Sequence, residues 1–189
     1  MLQADQDQPL PIDDPNSVRL AVPMYGQGRF SNLCWAACCE MVLAALGDPT
    51  DLCELVTLGL SSACPNPDGT IANPADMACC PDCATIGCDQ AHWPNAVYEK
   101  HGIQPGYIDR ALSLGEITYE INAGRPINAA LLWNGGTSHL VVVAGYYFNG
   151  DLLINDPGQG QMRRSYGYLN AAYNLGRWSA SIYNLGPSQ

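Results

Sequence analysis

Three cysteines crowd the start of a predicted helix in the segment QGRFSNLCWAACCEMVLAAL, residues 27–46. Cys34 lies in the first turn, where unpaired backbone N–H groups and the helix dipole favour an anion such as a thiolate. The same N–H groups can stabilise an oxyanion that forms beside the sulfur. Cys38 and Cys39 lie a turn deeper, where the N–H groups are bonded within the helix. The spacing favours Cys34 as a nucleophile; the alternative is a buried or disulfide-bonded cysteine.

A thiol nucleophile needs a base, and the chain has three histidines. His101 precedes the helix-ending Gly102, and His92 lies near a helix start, so both positions are typical of structural or surface histidines. His139 follows the turn-forming NGGTS and opens the most hydrophobic strand of the chain. A loop could direct its ring into a cleft while the strand holds it in place. We therefore predict His139 as the base; the alternative is a histidine at a strand edge.

The base in turn needs an acceptor that orients its ring, and Asp156 is the candidate. It ends the strand DLLIND, which we expect to pair with the His139 strand through the hairpin signal Asn149–Gly150. The alternative is an aspartate that only starts an Asp-Pro turn. Cys, His and Asp in this order match the arrangement of nucleophile, base and orienting group.

The elements that must position these residues are helices first and antiparallel strands afterwards, which indicates an α+β architecture. Ser31 or Asn32 can cap the Cys34 helix, and Gly47 can end it. The predicted helices cover residues 31–47, 48–60, 89–102 and 113–124, with a short one near 168–176. The predicted strands cover residues 18–25, 125–133, 139–148, 151–156, 161–169 and 177–185.

Charge and composition exclude several classes of function. The net charge is −10, with 8 Lys and Arg against 18 Asp and Glu, so nucleic acid and anionic membrane surfaces are unsuitable partners. No run approaches the roughly 18–20 apolar residues of a membrane span. The polar first 20 residues lack the pattern of a signal peptide. We expect a flexible lead-in over residues 1–20, one domain over 21–189, and a monomer.

All nine cysteines fall between residues 34 and 88, which is typical of an oxidising compartment, and we expect a secreted or otherwise extracytoplasmic protein. The odd number leaves one free thiol, predicted to be Cys34. The other eight would pair as disulfides, stapling a cysteine-rich insert over about residues 53–88 and anchoring the helix of Cys38 and Cys39 to it. A zinc site in CCPDCATIGC, residues 79–88, and mixed or reduced thiols are the alternatives. Spacing leaves the pairing open among Cys38, Cys39, Cys53, Cys64, Cys79, Cys80, Cys83 and Cys88.

Taken together, CWAA at a helix start with Gln27 upstream, GTSHLVVVAGYY and LLINDP resemble the papain-like cysteine peptidases. The likeness is strongest to the compact bacterial branch of secreted effector proteases and double-glycine leader peptidases, and it covers residues 20–185. The resemblance implies a papain-like fold, with the N-terminal helices packed on a C-terminal antiparallel sheet. The cysteine-rich insert is not a feature we associate with the family.

The resemblance also implies roles. Cys34 would be the nucleophile, His139 the base and then the acid, Asp156 the orienting group, and Gln27 an oxyanion-hole side chain. Gln27 precedes Cys34 by one residue more than is usual in papain-type enzymes. The implied activity is peptide hydrolysis through a thioester, on a protein or peptide substrate and without a cofactor or metal.

Two alternatives to peptide hydrolysis stay open. The same triad could serve glutamine deamidation, transglutamination or isopeptide cleavage, because these reactions share the acyl-enzyme. The chain could also be a non-catalytic, disulfide-rich binding module, although an intact Cys, His and Asp set argues against this.

Overall fold

The computed structural model describes residues 11–60 and 89–186. The helices are α1 (Cys34–Ala45), α2 (Leu52–Leu60), α3 (Asn95–Lys100), α4 (Leu114–Asn122) and α5 (Tyr166–Asn170). The strands are β1 (Ser17–Arg19), β2 (Gly106–Ile108), β3 (Ile127–Trp133), β4 (Ser138–Tyr147), β5 (Asp151–Asp156), β6 (Gly160–Ser165) and β7 (Gly176–Tyr183). The α+β class predicted from the sequence is confirmed.

The strands form one antiparallel sheet in the order β2-β7-β3-β4-β5-β6. Strand β4 is its centre, because β5 pairs along one edge while β3 and β1 share the other edge. The β4–β5 hairpin brings the first residues of β4 and the last residues of β5 to the same end of the sheet. That end carries His139 and Asp156, as the hairpin signal predicts.

Both faces of the sheet are covered, which explains the unbroken apolar run LVVVA in β4. Alternate residues of a strand point to opposite faces. Leu140, Val142 and Ala144 pack with α1, α2 and α3 in one core. Val141 and Val143 pack with α4 and α5 in a second core. Helix α1 is apolar nearly all round because it lies between the sheet and the other N-terminal helices.

Several elements begin or end elsewhere than predicted. Part of the expected lead-in belongs to the sheet, since β1 pairs with β4 and Ile12 packs against the first core. Strand β2 has no counterpart among the predicted strands; it is three residues long, too short for a periodic signal. Near residues 168–176 the helix is α5, which ends at Asn170.

The prediction that Ser31 or Asn32 caps α1 is wrong, and a distant carboxylate instead holds the residues that precede the helix. The helix starts after Leu33, whose side chain makes no capping bond. The carboxylate of Asp89 accepts hydrogen bonds from the backbone N–H groups of Ser31 (3.1 Å) and Asn32 (2.8 Å). A local pattern cannot show this contact, because the acceptor lies 57 residues from Asn32. Within the described ranges, no helix is both long enough and apolar enough to cross a membrane.

Candidate active site

Cys34 opens into a cleft at the start of α1. It is the first residue of the helix and is partly buried. As the first helical residue, it has a backbone N–H without an intrahelical acceptor. The cleft is lined by Cys34, His139, Trp35, His92 and Trp93, among others. One wall therefore comes from the helix that follows the 26–33 loop, another from β4, and a third from the segment that precedes α3.

His139 lies between Cys34 and Asp156. Its Nε2 is 2.8 Å from Oδ1 of Asp156, and the thiol of Cys34 is close enough to interact electrostatically with the ring. Since Nε2 is taken by the carboxylate, Nδ1 is the nitrogen left for the thiol. Burial by itself lowers the pKa of His139, but the interactions with Asp156 and Cys34 outweigh it and raise the pKa to about 9. The surroundings therefore favour the imidazolium form.

Asp156 is an inaccessible carboxylate with a full set of donors. Its side chain is 0% exposed. Oδ1 accepts from His139 and from the backbone N–H groups of Gly158 (2.7 Å) and Gln159 (3.1 Å), and Oδ2 accepts from the Tyr173 hydroxyl (2.9 Å). Burial pushes the pKa of Asp156 upward, but these donors and the charge of His139 outweigh it and lower the pKa. The group is thus held as an anion that can orient and stabilise an imidazolium.

Cys38 and Cys39 are not disulfide-bonded, which corrects the prediction that they anchor α1 to the insert. Both are free and fully buried, and burial is the main cause that raises the pKa of each thiol. The Cys38 thiol donates to the backbone carbonyl of Leu140 (3.3 Å), next to His139. Cys39 faces Tyr98 of α3. Cys38 therefore does tie the Cys34 helix in place, but by a hydrogen bond to the His139 strand.

Gln27 lies beside the other predicted residues without contacting the cleft. Its backbone N–H donates to the carbonyl of Pro157 (3.1 Å), directly after Asp156. Its Nε2 donates to the carbonyl of Phe30 (2.6 Å), and its Oε1 is buried and has no partner among the described residues. Gly28, at φ 62°, allows the tight turn closed by Phe30 N–H on the carbonyl of Gln27.

The two other histidines differ in their surroundings. His101 caps the C-terminus of α3 and pairs through Nδ1 with Asp48 (2.6 Å), a structural role that the position beside Gly102 indicates. His92 lines the cleft, and its ring contacts Trp35 edge-on at 5.1 Å. Burial lowers the pKa of His92. His92 therefore lines the wall of the cleft and makes no bond to Cys34 or Asp156 in the described part of the chain.

Aromatic residues that sequence reasoning missed surround the His139–Asp156 pair. Trp133, at the end of β3, stacks on His139 with ring centroids 6.1 Å apart and an interplanar angle of 19°. Tyr173, after α5, contacts Trp133 at 5.9 Å and donates to Asp156. No local signal marks either residue, because both reach the site through strand pairing and a turn far along the chain.

We expect iodoacetamide to label Cys34 alone in the native, non-reduced protein, because Cys38 and Cys39 are fully buried thiols with raised pKa values. After denaturation without reductant, Cys38 and Cys39 should be labelled as well. Peptide mapping by mass spectrometry reads both stages. Native labelling of Cys38 or Cys39, or an unlabelled Cys34, would contradict the site. Their protection after denaturation would show that they are disulfide-bonded after all.

The remaining cysteine predictions fall mostly outside the described residues. Cys53, in α2, is disulfide-bonded. The zinc alternative and the rest of the insert concern residues 61–88, which lie outside the described ranges, as do residues 1–10 of the lead-in.

Comparison with solved structures identifies the fold. Active wild-type interpain A, a cysteine protease of Prevotella intermedia, superposes with a TM-score of 0.53 at 13% identity, covering 92% of this chain and 96% of interpain A. A mutant fragment of prointerpain A from the same organism gives a TM-score of 0.51 at 13% identity, covering 93% and 74%. At such identity the likeness shows the fold alone, and this is the papain-like cysteine protease fold expected from the sequence. No curated protein sequence matches the chain.

A sequence family accounts for nearly the whole described chain. The model of the Peptidase_C39 like family matches residues 19–183, a range that begins in β1 and ends with β7. The match includes the Cys34 helix, the β4–β5 hairpin and the turn that holds Tyr173. The chain belongs to the Peptidase_C39 like family, and family and fold together support a cysteine peptidase.

Proposed function

We propose that this protein is a cysteine peptidase that hydrolyses peptide bonds of a protein or peptide substrate through Cys34, His139 and Asp156. One observation carries the proposal: a partly buried thiol at a helix N-terminus lies in one cleft with a histidine whose Nε2 is hydrogen-bonded to a fully buried carboxylate. That is the geometry of an activated nucleophile. In this proposal residues 21–189 act as a single catalytic domain.

In the first step His139 holds the thiol proton, so that Cys34 attacks the substrate carbonyl as a thiolate. A C–S bond forms, and the carbonyl π electrons move onto oxygen to give a tetrahedral oxyanion. The oxyanion returns its electrons, the C–N bond breaks, and imidazolium His139 gives its proton to the leaving amine. A thioester on Cys34 and a free amine result.

In the second step water hydrolyses the thioester. His139, now neutral, takes a proton from the water, whose oxygen attacks the thioester carbonyl. When the C–S bond breaks, the carboxylic acid leaves and the sulfur regains its pairing with imidazolium His139. Asp156 stays ionised throughout and stabilises the imidazolium. Residues and water balance every step, so no cofactor or metal enters the proposal.

The oxyanion needs donors, and we assign two groups to this role. One is the backbone N–H of Cys34 at the start of α1. The other is Gln27. The Phe30 carbonyl fixes the orientation of its amide, because Oε1 in that position would face another oxygen, so Nε2 must be the atom that contacts the carbonyl. The second N–H of Nε2 is then the group assigned to the oxyanion. Because Gln27 does not line the cleft, a bound substrate would have to bring its oxyanion within reach of this N–H.

The other parts of the proposal follow from charge and cysteine chemistry. The disulfide-bonded Cys53 fits an oxidising, extracytoplasmic compartment, and the net charge of −10 disfavours nucleic acid and anionic membranes as partners. We propose a monomer acting on proteins or peptides.

Incubation with a peptide library, read by mass spectrometry, tests the function. We expect pairs of fragments whose masses add up to the substrate plus one water. Intact peptides with the small mass increase of an amide-to-acid change would instead show glutamine deamidation by the same acyl-enzyme. Peptides joined to an added amine would show transfer. No change of any kind would favour a non-catalytic binding module and contradict the proposal.

A further inference from the structure

The buried carboxylate of Asp156 has its two oxygens divided between different partners. Oδ1 serves His139 and the backbone of the turn that follows β5. Oδ2 accepts from the hydroxyl of Tyr173 at 2.9 Å, and no other donor to it is found in the described part of the chain. A carboxylate that loses a donor inside a protein becomes harder to keep charged. The Tyr173 hydroxyl is therefore the contact on which that half of the anion depends.

The backbone around Tyr173 is held in an unusual conformation to make this contact. Ala172, Tyr173 and Asn174 have φ angles of 42°, 59° and 64°, three successive residues in the left-handed region. Residues other than glycine adopt that region at a cost in free energy, which contacts with the surrounding structure must offset. Here the Tyr173 N–H donates to the carbonyl of Tyr168 (2.9 Å) and the Leu175 N–H to that of Ala172 (2.9 Å).

Aromatic packing closes the arrangement on the other side. Tyr173 is buried, with 7% of the residue exposed. Tyr168 stacks on its ring at 5.3 Å with an interplanar angle of 22°, and Trp133 contacts it at 5.9 Å while stacking on His139. The ring cannot rotate away from Asp156 without displacing both neighbours. The same aromatic group thus fixes the position of the carboxylate and covers the imidazole.

We propose that Tyr173 is a positioning residue that acts through Asp156: its hydroxyl keeps the carboxylate ionised and aimed at His139, and the left-handed turn 172–174 exists to deliver it. The inference rests on the proposed function, whose reaction needs imidazolium His139. A phenol suits the task, because burial and the neighbouring carboxylate raise the pKa of Tyr173 and keep it a donor.

The experiment compares Tyr173→Phe with Tyr168→Phe in the full chain. Both remove one hydroxyl from the same aromatic stack, but only the Tyr173 hydroxyl contacts Asp156. In Tyr173→Phe we expect the pKa of His139, measured by NMR, to fall by about half to one unit, because a less stabilised carboxylate holds the imidazolium less well. The alkaline limb of the kcat/KM profile should move to lower pH by the same amount. The plateau value of kcat/KM should fall by about three- to tenfold.

Other titratable groups also interact with His139, Asp156 or Tyr173. In the described part of the chain they are the thiols of Cys34 and Cys38 on α1 and the phenol of Tyr168. The Tyr173→Phe substitution changes none of them, and Tyr168→Phe controls for the last. Equal shifts in the two variants, or a lower melting temperature of Tyr173→Phe without a shift of the His139 pKa, would show a merely structural role. If the wild type hydrolyses nothing, the proposed function fails, while the NMR titration still decides whether Tyr173 controls His139.

Discussion

Replacing Cys34 with alanine is expected to abolish peptide hydrolysis, with kcat/KM falling by about 10⁴-fold or more, while the fold is retained. The thioester cannot form without the sulfur, and no other described thiol can replace it, because Cys38 and Cys39 are fully buried. Fold retention follows from the position of Cys34 at the helix start, partly exposed and outside the centre of the core. Fragment formation and circular dichroism measure the two outcomes.

Cys39→Ala is the matched control for Cys34→Ala. It removes a thiol from the same helix, facing Tyr98 and away from the cleft, so it should lower stability slightly and leave turnover in place. Hydrolysis that survives in Cys34→Ala, or that is lost equally in Cys39→Ala, would refute Cys34 as the nucleophile.

Replacing Asp156 with alanine is expected to reduce both stability and turnover. The change removes the acceptor of the His139 ring, the Gly158 N–H and the Tyr173 hydroxyl, and one of the two acceptors of the Gln159 N–H. Removing one partner of a buried, hydrogen-bonded ion pair costs about 3–5 kcal/mol of unfolding free energy. We also expect kcat/KM to fall by about 10²-fold or more, because the ring of His139 is then neither oriented nor charged. Urea unfolding and peptide cleavage give the two values.

The difference in stability between wild type and Asp156→Ala should depend on pH. The pKa of His139, at about 9, lies above its ordinary 6.5. The stabilisation that comes from charged His139 is therefore fully present below pH 6.5 and is lost as pH rises through 9. The pKa of Asp156 lies below its ordinary 3.8, so its contribution is present above pH 3.8 and is lost as pH falls through the lower folded value. The difference in unfolding free energy between wild type and Asp156→Ala should therefore be largest between pH 3.8 and pH 6.5, and it should shrink above pH 9.

Asp156→Asn separates charge from geometry. The amide oxygen can keep the three donors at Oδ1, and the Tyr173 hydroxyl can turn to accept from the amide nitrogen. We expect most of the stability to remain, but the alkaline limb of the activity profile to move to lower pH. A stability gap that does not vary with pH, or an Asn variant as destabilised as the Ala variant, would argue against an ion pair.

Local patterns were sufficient for the elements that carry the site. Hydrophobic periodicity and turn residues predicted a helix that begins near Cys34, a strand that begins at His139 and a hairpin that ends at Asp156, and the structure has all three. These signals depend on neighbours in the chain, so a single sequence contains them. The cap of α1 and the bonding of Cys38 were predicted wrongly. Asp89, which holds the residues before α1, and Leu140, which accepts from Cys38, meet that part of the chain only across the fold.

The sequence by itself therefore determined the class of fold, the order of the candidate nucleophile, base and carboxylate, and the helix and strands that bear them. Only the tertiary structure decided that Cys38 and Cys39 are buried thiols, that Gln27 lies beside the cleft, and that Tyr173 reaches Asp156. The physical reason is the range of the interactions. Periodicity and turn chemistry act within a few residues, whereas desolvation, hydrogen bonds between distant segments and three left-handed residues in succession are imposed by the tertiary fold.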